Sequence, residues 1–177
     1  LSYIYLPCVY NMNLNTGLRR RTFQKNSITL LFAPKKILKE LVSRIKMCDY
    51  VVGCVAWFTN KVVLKALERK RGCSFVVTRH KMARVFKATY DALPKMDKKS
   101  PVRVVGNGRG MSKNLMHHKF VVGLDSKRKP LFVATGSFNI TKSAESNLEN
   151  MIIVDDPDIA QQYFLEFQRV RRMSKSI

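Results

Sequence analysis

The sequence predicts an α/β fold, in which helices sandwich a mixed, mostly parallel sheet within a single domain. Short apolar runs typical of buried strands alternate along the chain with segments of helical periodicity. The 177 residues match the size of one domain, and a hydrophobic fraction of 46% excludes a disordered chain. We therefore expect one domain over residues 27–177, preceded by a basic N-terminal arm over residues 1–26.

The strand candidates are short apolar runs rich in Val and Ile, which favour extended backbone. The longest of them is apolar throughout, as expected for a strand that is buried on both faces. The candidates are residues 28–33, 50–57, 73–77, 102–105, 119–124, 131–134 and 151–154.

Helices are predicted where apolar residues recur every three or four positions. The first begins at Pro34, because proline suits the first turn of a helix. The second is capped by Asn60 and ends at Gly72, and the third spans residues 81–93 and stops at Pro94.

The C-terminal helix carries both of the expected start signals. Asp156 can cap it, and Pro157 fits its first position. Its apolar stripe consists of Ala160, Tyr163, Phe164, Phe167 and Val170.

The charge of the chain points to an anionic partner. Lys and Arg number 33 against 12 Asp and Glu, which gives a net charge of +21. Nucleic acid is the leading partner, because basic side chains release counterions when they bind phosphates. An anionic membrane surface is the second candidate, and a merely soluble lysine-rich surface is the third.

The cysteines do not indicate a metal site or a disulfide framework. Cys8, Cys48, Cys54 and Cys73 contain no C-x-x-C pair, and His80 is the one histidine outside the His117-His118 doublet. Cys54 and Cys73 lie in apolar runs, where we expect small buried thiols. We therefore predict no structural zinc and an intracellular, reducing compartment.

No membrane anchor is expected from the sequence. No apolar stretch reaches the ~20 residues that a transmembrane helix needs. The apolar opening at residues 1–10 is short and has neither a basic start nor a clear cleavage site, so it does not resemble a signal peptide.

Two short motifs carry the chemistry of phosphate attack. On a strand, side chains two positions apart share a face, so His117 and Lys119 converge while His118 points away. An imidazole can act as nucleophile or general acid, and an ammonium can clamp a phosphate oxygen. Ser137 and Asn139 follow the next strand, where hydroxyl and amide groups can bind the remaining oxygens.

These residues together resemble the phospholipase D superfamily, whose motif is His-x-Lys, four residues and Asp, followed by Gly-Ser-x-Asn. The matching residues here are His117, Lys119, Gly136, Ser137 and Asn139. The resemblance is closest to the short, single-motif members, namely bacterial nucleases and Zucchini-like endonucleases. It implies that residues 27–177 form a phospholipase D-like catalytic domain.

The acidic residue of the motif departs from the family pattern. The family places Asp five residues after the Lys, where this chain has Leu124, and Asp125 comes one residue later. A one-residue bulge at Gly123 would bring Asp125 into the motif role, since glycine tolerates the required backbone angles. Alternatively, Asp125 is the first residue of the following turn, and the acidic role is vacant.

The resemblance also implies a mechanism. Two His-x-Lys motifs form one site about a two-fold axis: one His attacks phosphorus to form a phosphohistidine, and the other protonates the leaving oxygen. A chain with one motif would then act as a homodimer, without metal or cofactor. Glu149 would accept the second N–H of His117, and Glu145 is a weaker candidate for that role.

Basic residues around the motifs are candidates for binding the nucleic-acid backbone. Arg109 lies in a glycine-rich loop before the His-x-Lys strand, and Lys127, Arg128 and Lys129 lie in the turn between the two motif strands. The alternative is that both segments are ordinary basic loops.

We therefore expect a metal-independent phosphodiesterase that cleaves DNA or RNA, as an endonuclease. A phospholipid phosphodiesterase is the first alternative, because related folds hydrolyse phospholipids. A nucleic-acid-binding module with a decayed site is the second alternative, and the displaced Asp125 motivates it.

Overall fold

The computed structural model describes residues 22–25, 27–106 and 115–177. The strands in these ranges are β1 (Thr22–Lys25), β2 (Ile28–Leu31), β3 (Tyr50–Val55), β4 (Gly72–Thr78), β5 (Val102–Val105), β6 (Lys119–Leu124), β7 (Pro130–Gly136) and β8 (Met151–Val154). The helices are α1 (Pro34–Lys46), α2 (Lys61–Leu67), α3 (Lys81–Val85), α4 (Lys87–Asp91) and α5 (Pro157–Met173). A short 3-10 helix spans Ser143–Ser146.

The strands form one mixed sheet with the order β1-β2-β8-β7-β6-β3-β4-β5. The predicted α/β sandwich with a mixed sheet is confirmed. The expected predominance of parallel pairs is corrected, because among the described strands only β3–β4 and β4–β5 are parallel pairs. Parallel neighbours need long crossovers, which α2 and α3–α4 supply, whereas the short turn between β6 and β7 makes a hairpin.

Most predicted elements appear with small boundary changes. Asn60 caps α2 by accepting hydrogen bonds from Val62 and Val63, and Asp156 caps α5 in the same way. Gly72 is the first residue of β4 instead of a helix terminator, and its backbone lies against Met96. The helix predicted over residues 81–93 is divided into α3 and α4, which meet at Phe86.

The end of the predicted N-terminal arm belongs to the sheet. β1 pairs antiparallel with β2, from Thr22 opposite Leu31 to Lys25 opposite Ile28. Pairing there satisfies backbone groups that β2 would otherwise present at an open edge. The remainder of the predicted arm, residues 1–21 and residue 26, lies outside the described residues.

The sheet separates two apolar layers. One layer lies under α1, α2, α3 and α4 and contains Ile37, Leu64, Phe75 and Val121. The other lies under α5 and contains Phe120, Val122, Leu124, Ala160 and Phe167. Successive residues of β6 thus alternate between the two layers, and this alternation sets the direction of the side chains at its N-terminal end.

The described cysteines are buried free thiols. Cys48, Cys54 and Cys73 are free and buried, and desolvation raises the pKa of the Cys73 thiol to about 12. None of the described helices is both long and apolar enough to span a bilayer.

Candidate active site

The segment before β6 is anchored at the carboxyl ends of β3 and β4. The hydroxyl of Thr78, at the end of β4, donates to the carbonyl oxygen of Met116. The amide of Ala56, just after β3, donates to the carbonyl oxygen of His118 at 2.9 Å. These two bonds fix His117 at the edge of the sheet where the parallel strands end, a common place for binding sites in α/β folds.

His117 and His118 point to opposite sides of the sheet. Nε2 of His118 lies 3.1 Å from Oε1 of Glu166 on α5. The ring of His117 lies on the other side, where it meets the indole of Trp57 edge-on, with 5.9 Å between the ring centroids. The two imidazole rings therefore have different neighbours, although both residues lie just before β6, which begins at Lys119.

His117 and Lys119 are direct neighbours. Nζ of Lys119 lies 3.1 Å from Nε2 and 3.3 Å from Nδ1 of His117. Burial lowers the pKa of His117, and the positive charge of Lys119 lowers it further. Burial also lowers the pKa of Lys119, while the nearby carboxylate of Glu149 acts in the opposite direction. The site therefore favours a neutral imidazole beside a cation.

The Gly-Ser turn after β7 is held against the start of β8. The hydroxyl of Ser137 donates to Oε2 of Glu149 and accepts from the amide of Asn150 at 3.0 Å. The amide of Ser137 also donates to the carbonyl oxygen of Asn150 at 3.1 Å. A Cβ atom on Gly136 would lie 2.2 Å from that same oxygen, so the turn requires glycine for close approach of two backbones.

Glu149 has other partners than the predicted one. It accepts from Ser137 and from Nδ2 of Asn147 at 3.4 Å, and no hydrogen bond joins it to His117 within the described ranges. Its link to the His-x-Lys pair is electrostatic, because its charge raises the pKa of Lys119. The carboxylate of Glu149 thus acts on the ammonium of Lys119 and binds the hydroxyl of Ser137, rather than the imidazole of His117.

Glu145 is engaged away from the imidazole. Oε1 of Glu145 accepts from Nδ2 of Asn60 at 2.9 Å, and Oε2 accepts from Nζ of Lys142 at 3.0 Å. Since Asn60 also caps α2, these bonds tie the 3-10 helix to the start of α2. Glu145 therefore has a structural role in joining these two elements.

Asn139 lies next to a cavity of about 420 Å³ that Trp57 also lines. Its Oδ1 atom is shielded from solvent and has no hydrogen-bond partner among the described residues. The preceding Phe138 is buried and anchors the loop in the core. The amide is therefore held at the site with one acceptor unused.

Asp125 lies in the turn after β6. Its carboxylate accepts from the amides of Lys127 and Lys129, both at 2.8 Å. The pairing of β6 with β7 does shift next to Gly123, but the extra residue is Leu131 on β7. Because β3 pairs with β6 without interruption, no bulge moves Asp125 into the strand.

The position that the family reserves for the motif acid is apolar here. Leu124 fills it and is fully buried in the layer under α5. The geometry therefore supports the second alternative, in which Asp125 is the first residue of the turn and no acid occupies the motif position.

The predicted nucleic-acid-binding residues of the turn after β6 lie far from this site. Arg109 lies outside the described residues. Lys127, Arg128 and Lys129 are separated from His117 by the length of β6, about 20 Å for six extended residues. The guanidinium of Arg128 stacks 5.0 Å from the ring centroid of Tyr50.

A basic surface that the sequence analysis missed lies between α1 and α2. We call it the α1–α2 basic groove. Its cations are Lys46, Lys61, Lys65, Arg69 and Lys70, interspersed with Val42, Val62 and Ala66. The four-residue spacing of Lys61 and Lys65 is the signal that could have revealed it, since such residues share a helix face.

The described residues contain no cluster of three or more His, Cys, Asp or Glu side chains able to hold a metal ion. The reactive groups gathered at the site are an imidazole, an ammonium, a hydroxyl, an amide and a carboxylate. Such a set can attack, clamp and orient a phosphate.

Sequence comparisons found two matches that each cover most of this chain. Residues 35–171 match a protein-family model described as "Cardiolipin synthase, PLD-like domain". An uncharacterized protein of Acanthamoeba polyphaga mimivirus is 26% identical over 192 residues, which cover 85% of this chain and 67% of that protein.

Two solved structures share the fold over nearly their whole length. One is a phospholipase D family member, Nuc from Salmonella typhimurium, with a TM-score of 0.63, 20% identity and coverage of 85% of this chain and 97% of that chain. Another is NucT from Helicobacter pylori, with a TM-score of 0.67, 19% identity and coverage of 85% and 98%. At these identities the likeness concerns the fold alone.

Proposed function

Because the chain belongs to the phospholipase D superfamily, we propose that it is a metal-independent phosphodiesterase that cleaves nucleic acid through a phosphohistidine intermediate. The observation that carries the proposal is the pairing of His117 with Lys119 beside Ser137 and Glu149. We further propose that it acts as an endonuclease on DNA or RNA.

The first step is attack by His117 on phosphorus. A nucleophilic imidazole must be neutral, and the lowered pKa of His117 favours that form. Lys119 then neutralises a phosphate oxygen, and Ser137 and Asn139 bind the others. A bond forms between the imidazole nitrogen and phosphorus while the bond to the leaving oxygen breaks.

A second imidazole supplies the proton for the leaving oxygen. In an in-line displacement the leaving group departs opposite the nucleophile, so His117 itself cannot protonate it. We assign this role to the same residue of a second copy of the chain, in a symmetric homodimer. Water, deprotonated by that second imidazole, then attacks the phosphohistidine and frees His117.

Charge supports nucleic acid as the substrate. The net charge of +21 and the α1–α2 basic groove suit a long polyanion, since each phosphate contact releases counterions. Anchoring through this groove leaves the motif residues available for the scissile phosphate.

A phospholipid phosphodiesterase is the second candidate. The description of the matched family model favours it, and so does Leu148, which is 58% exposed beside Glu149 and could contact an acyl region. Turnover of anionic liposomes compared with single-stranded DNA separates the two candidates. A catalytically decayed nucleic-acid-binding module is the third, motivated by Leu124 at the acid position.

The test is cleavage of labelled DNA and RNA by purified protein in excess EDTA. We expect cleavage to persist with the chelator and to fall by about 10³-fold or more in His117→Ala. The matched control is His118→Ala, whose imidazole faces α5, and it should retain cleavage. Loss of activity in EDTA, or full activity of His117→Ala, rejects the proposal, and salt-sensitive binding without turnover indicates the decayed module.

A further inference from the structure

The cavity of about 420 Å³ lies directly beside the proposed nucleophile. Trp57 joins the two, because its indole lines the cavity and also contacts the imidazole of His117 edge-on. A phosphodiester held at His117 and Lys119 would therefore place an adjoining sugar and base within reach of the cavity.

The walls of the cavity are apolar and aromatic. Phe58, Val77 and Tyr90 are at most 2% exposed, and they line it together with Ala83. The hydroxyl of Tyr90 donates to the carbonyl oxygen of Phe58, so this wall is held in one arrangement. A rigid apolar wall next to an indole suits a flat aromatic ligand, which gains from stacking as well as from burial.

Polar side chains also line the cavity. Thr59, Ser143 and Asn147 lie in its lining, where their hydroxyl and amide oxygens can accept hydrogen bonds. Nucleobases carry N–H groups on their edges, whereas acyl chains and phosphates at neutral pH do not.

We propose that this cavity is a nucleobase-binding subsite, which takes one unstacked base next to the scissile phosphate. The base packs on Trp57, and one of its N–H groups donates to a side-chain oxygen of the polar lining. The inference rests on the proposed nucleic-acid substrate and deepens it. Because a base in a duplex is paired and stacked, this subsite favours single-stranded substrates.

Binding is tested with uncharged nucleosides, which do not depend on the basic surface. Trp57 is the single tryptophan of the sequence, so its fluorescence reports on the cavity. Adenosine should change this fluorescence saturably, and ribose should not. An adenosine analogue with a dimethylated exocyclic amino group should bind about tenfold more weakly, because it has lost the N–H donors.

A pair of serine variants tests the location. Ser143 lines the cavity and is exposed, so Ser143→Phe should fill the mouth without disturbing the core. Ser126, exposed in the distant turn after β6, provides the control Ser126→Phe. We expect Ser143→Phe to abolish the adenosine signal and Ser126→Phe to retain it. Absence of any nucleoside signal in the parent protein, or an unchanged signal in Ser143→Phe, overturns the subsite.

Activity provides a second readout. The p-nitrophenyl ester of adenosine monophosphate carries a base, and methyl p-nitrophenyl phosphate has the same leaving group but no base. Ser143→Phe should lower kcat/KM about tenfold for the first substrate and leave the second unchanged. Equal loss on both substrates overturns the subsite. Failure of the parent protein to hydrolyse either one counts against the proposed function, and nucleoside binding still decides the subsite.

Discussion

Nζ of Lys119 lies 3.1 Å from Nε2 and 3.3 Å from Nδ1 of His117, so the ammonium rests against the imidazole. A positive charge at that distance disfavours protonation of the ring. Together with burial, it holds the pKa of His117 below its ordinary value of 6.5. This contact favours the neutral, nucleophilic form of His117, while the charged ammonium of Lys119 can bind a phosphate oxygen.

Removal of the Lys119 charge should raise the pKa of His117. We predict a higher pKa of His117 in Lys119→Met, measured by NMR titration of the imidazole signals. Comparison with His80→Gln and His118→Gln assigns the signal of His117. The control Lys129→Met, in the turn after β6, should leave the titration unchanged. In the active parent protein, kcat/KM should fall as the pH drops through the pKa of His117, because the neutral form is lost. An unaltered titration in Lys119→Met would show that the two groups are not coupled.

Glu149 should hold Lys119 in its charged form. Its carboxylate raises the pKa of Lys119, so Glu149→Gln should lower that pKa, and the ammonium should lose its proton at lower pH. NMR titration of the lysine side-chain signals measures this shift, and Lys119→Met assigns the Lys119 signal. Glu145→Gln is the matched control, because Glu145 contacts Asn60 and Lys142 instead. Identical Lys119 titrations in Glu149→Gln and the parent protein contradict this role.

Asp125 should matter for stability and little for catalysis. Asp125→Ala removes the acceptor for two turn amides, so we expect a loss of about 1–2 kcal/mol in the free energy of unfolding. Urea unfolding measures this loss, and Ser126→Ala in the same turn serves as control. A large loss of kcat with unchanged stability would instead assign Asp125 to the chemistry.

A shared site should make the His117 variant dominant over the parent chain. When parent chain and His117→Ala are co-refolded in equal amounts, about a quarter of the dimers contain two intact motifs. Activity per parent chain should therefore fall to about half, and mixing with His118→Ala should not lower it. Activity that follows the amount of parent chain alone would mean that each chain is catalytically independent.

Local patterns carried much of the prediction. Asp156 and Pro157 identified the start of α5, and the two-residue period of extended backbone indicated different neighbours for the rings of His117 and His118. These features depend on neighbours within a few residues, so sequence alone reveals them.

Contacts between distant segments could not be predicted in the same way. The insertion of β6 beside β3 makes most pairs antiparallel, and nothing local in β6 specifies that neighbour. The hydrogen-bond partner of Glu149 depends on how β7 and β8 pair. This pairing places the hydroxyl of Ser137, instead of the imidazole of His117, against the carboxylate. The α1–α2 basic groove exists because two helices pack side by side.

The proposed mechanism requires that His117 forms a covalent bond to phosphorus. The direct measurement is mass spectrometry of peptides after reaction with a labelled oligonucleotide and an alkaline quench, which preserves phosphohistidine. We expect a phosphohistidine adduct on His117 that still carries one fragment of the oligonucleotide, persists in His118→Ala and disappears in His117→Ala. Turnover without any adduct on His117, or an adduct that His117→Ala retains, would contradict it.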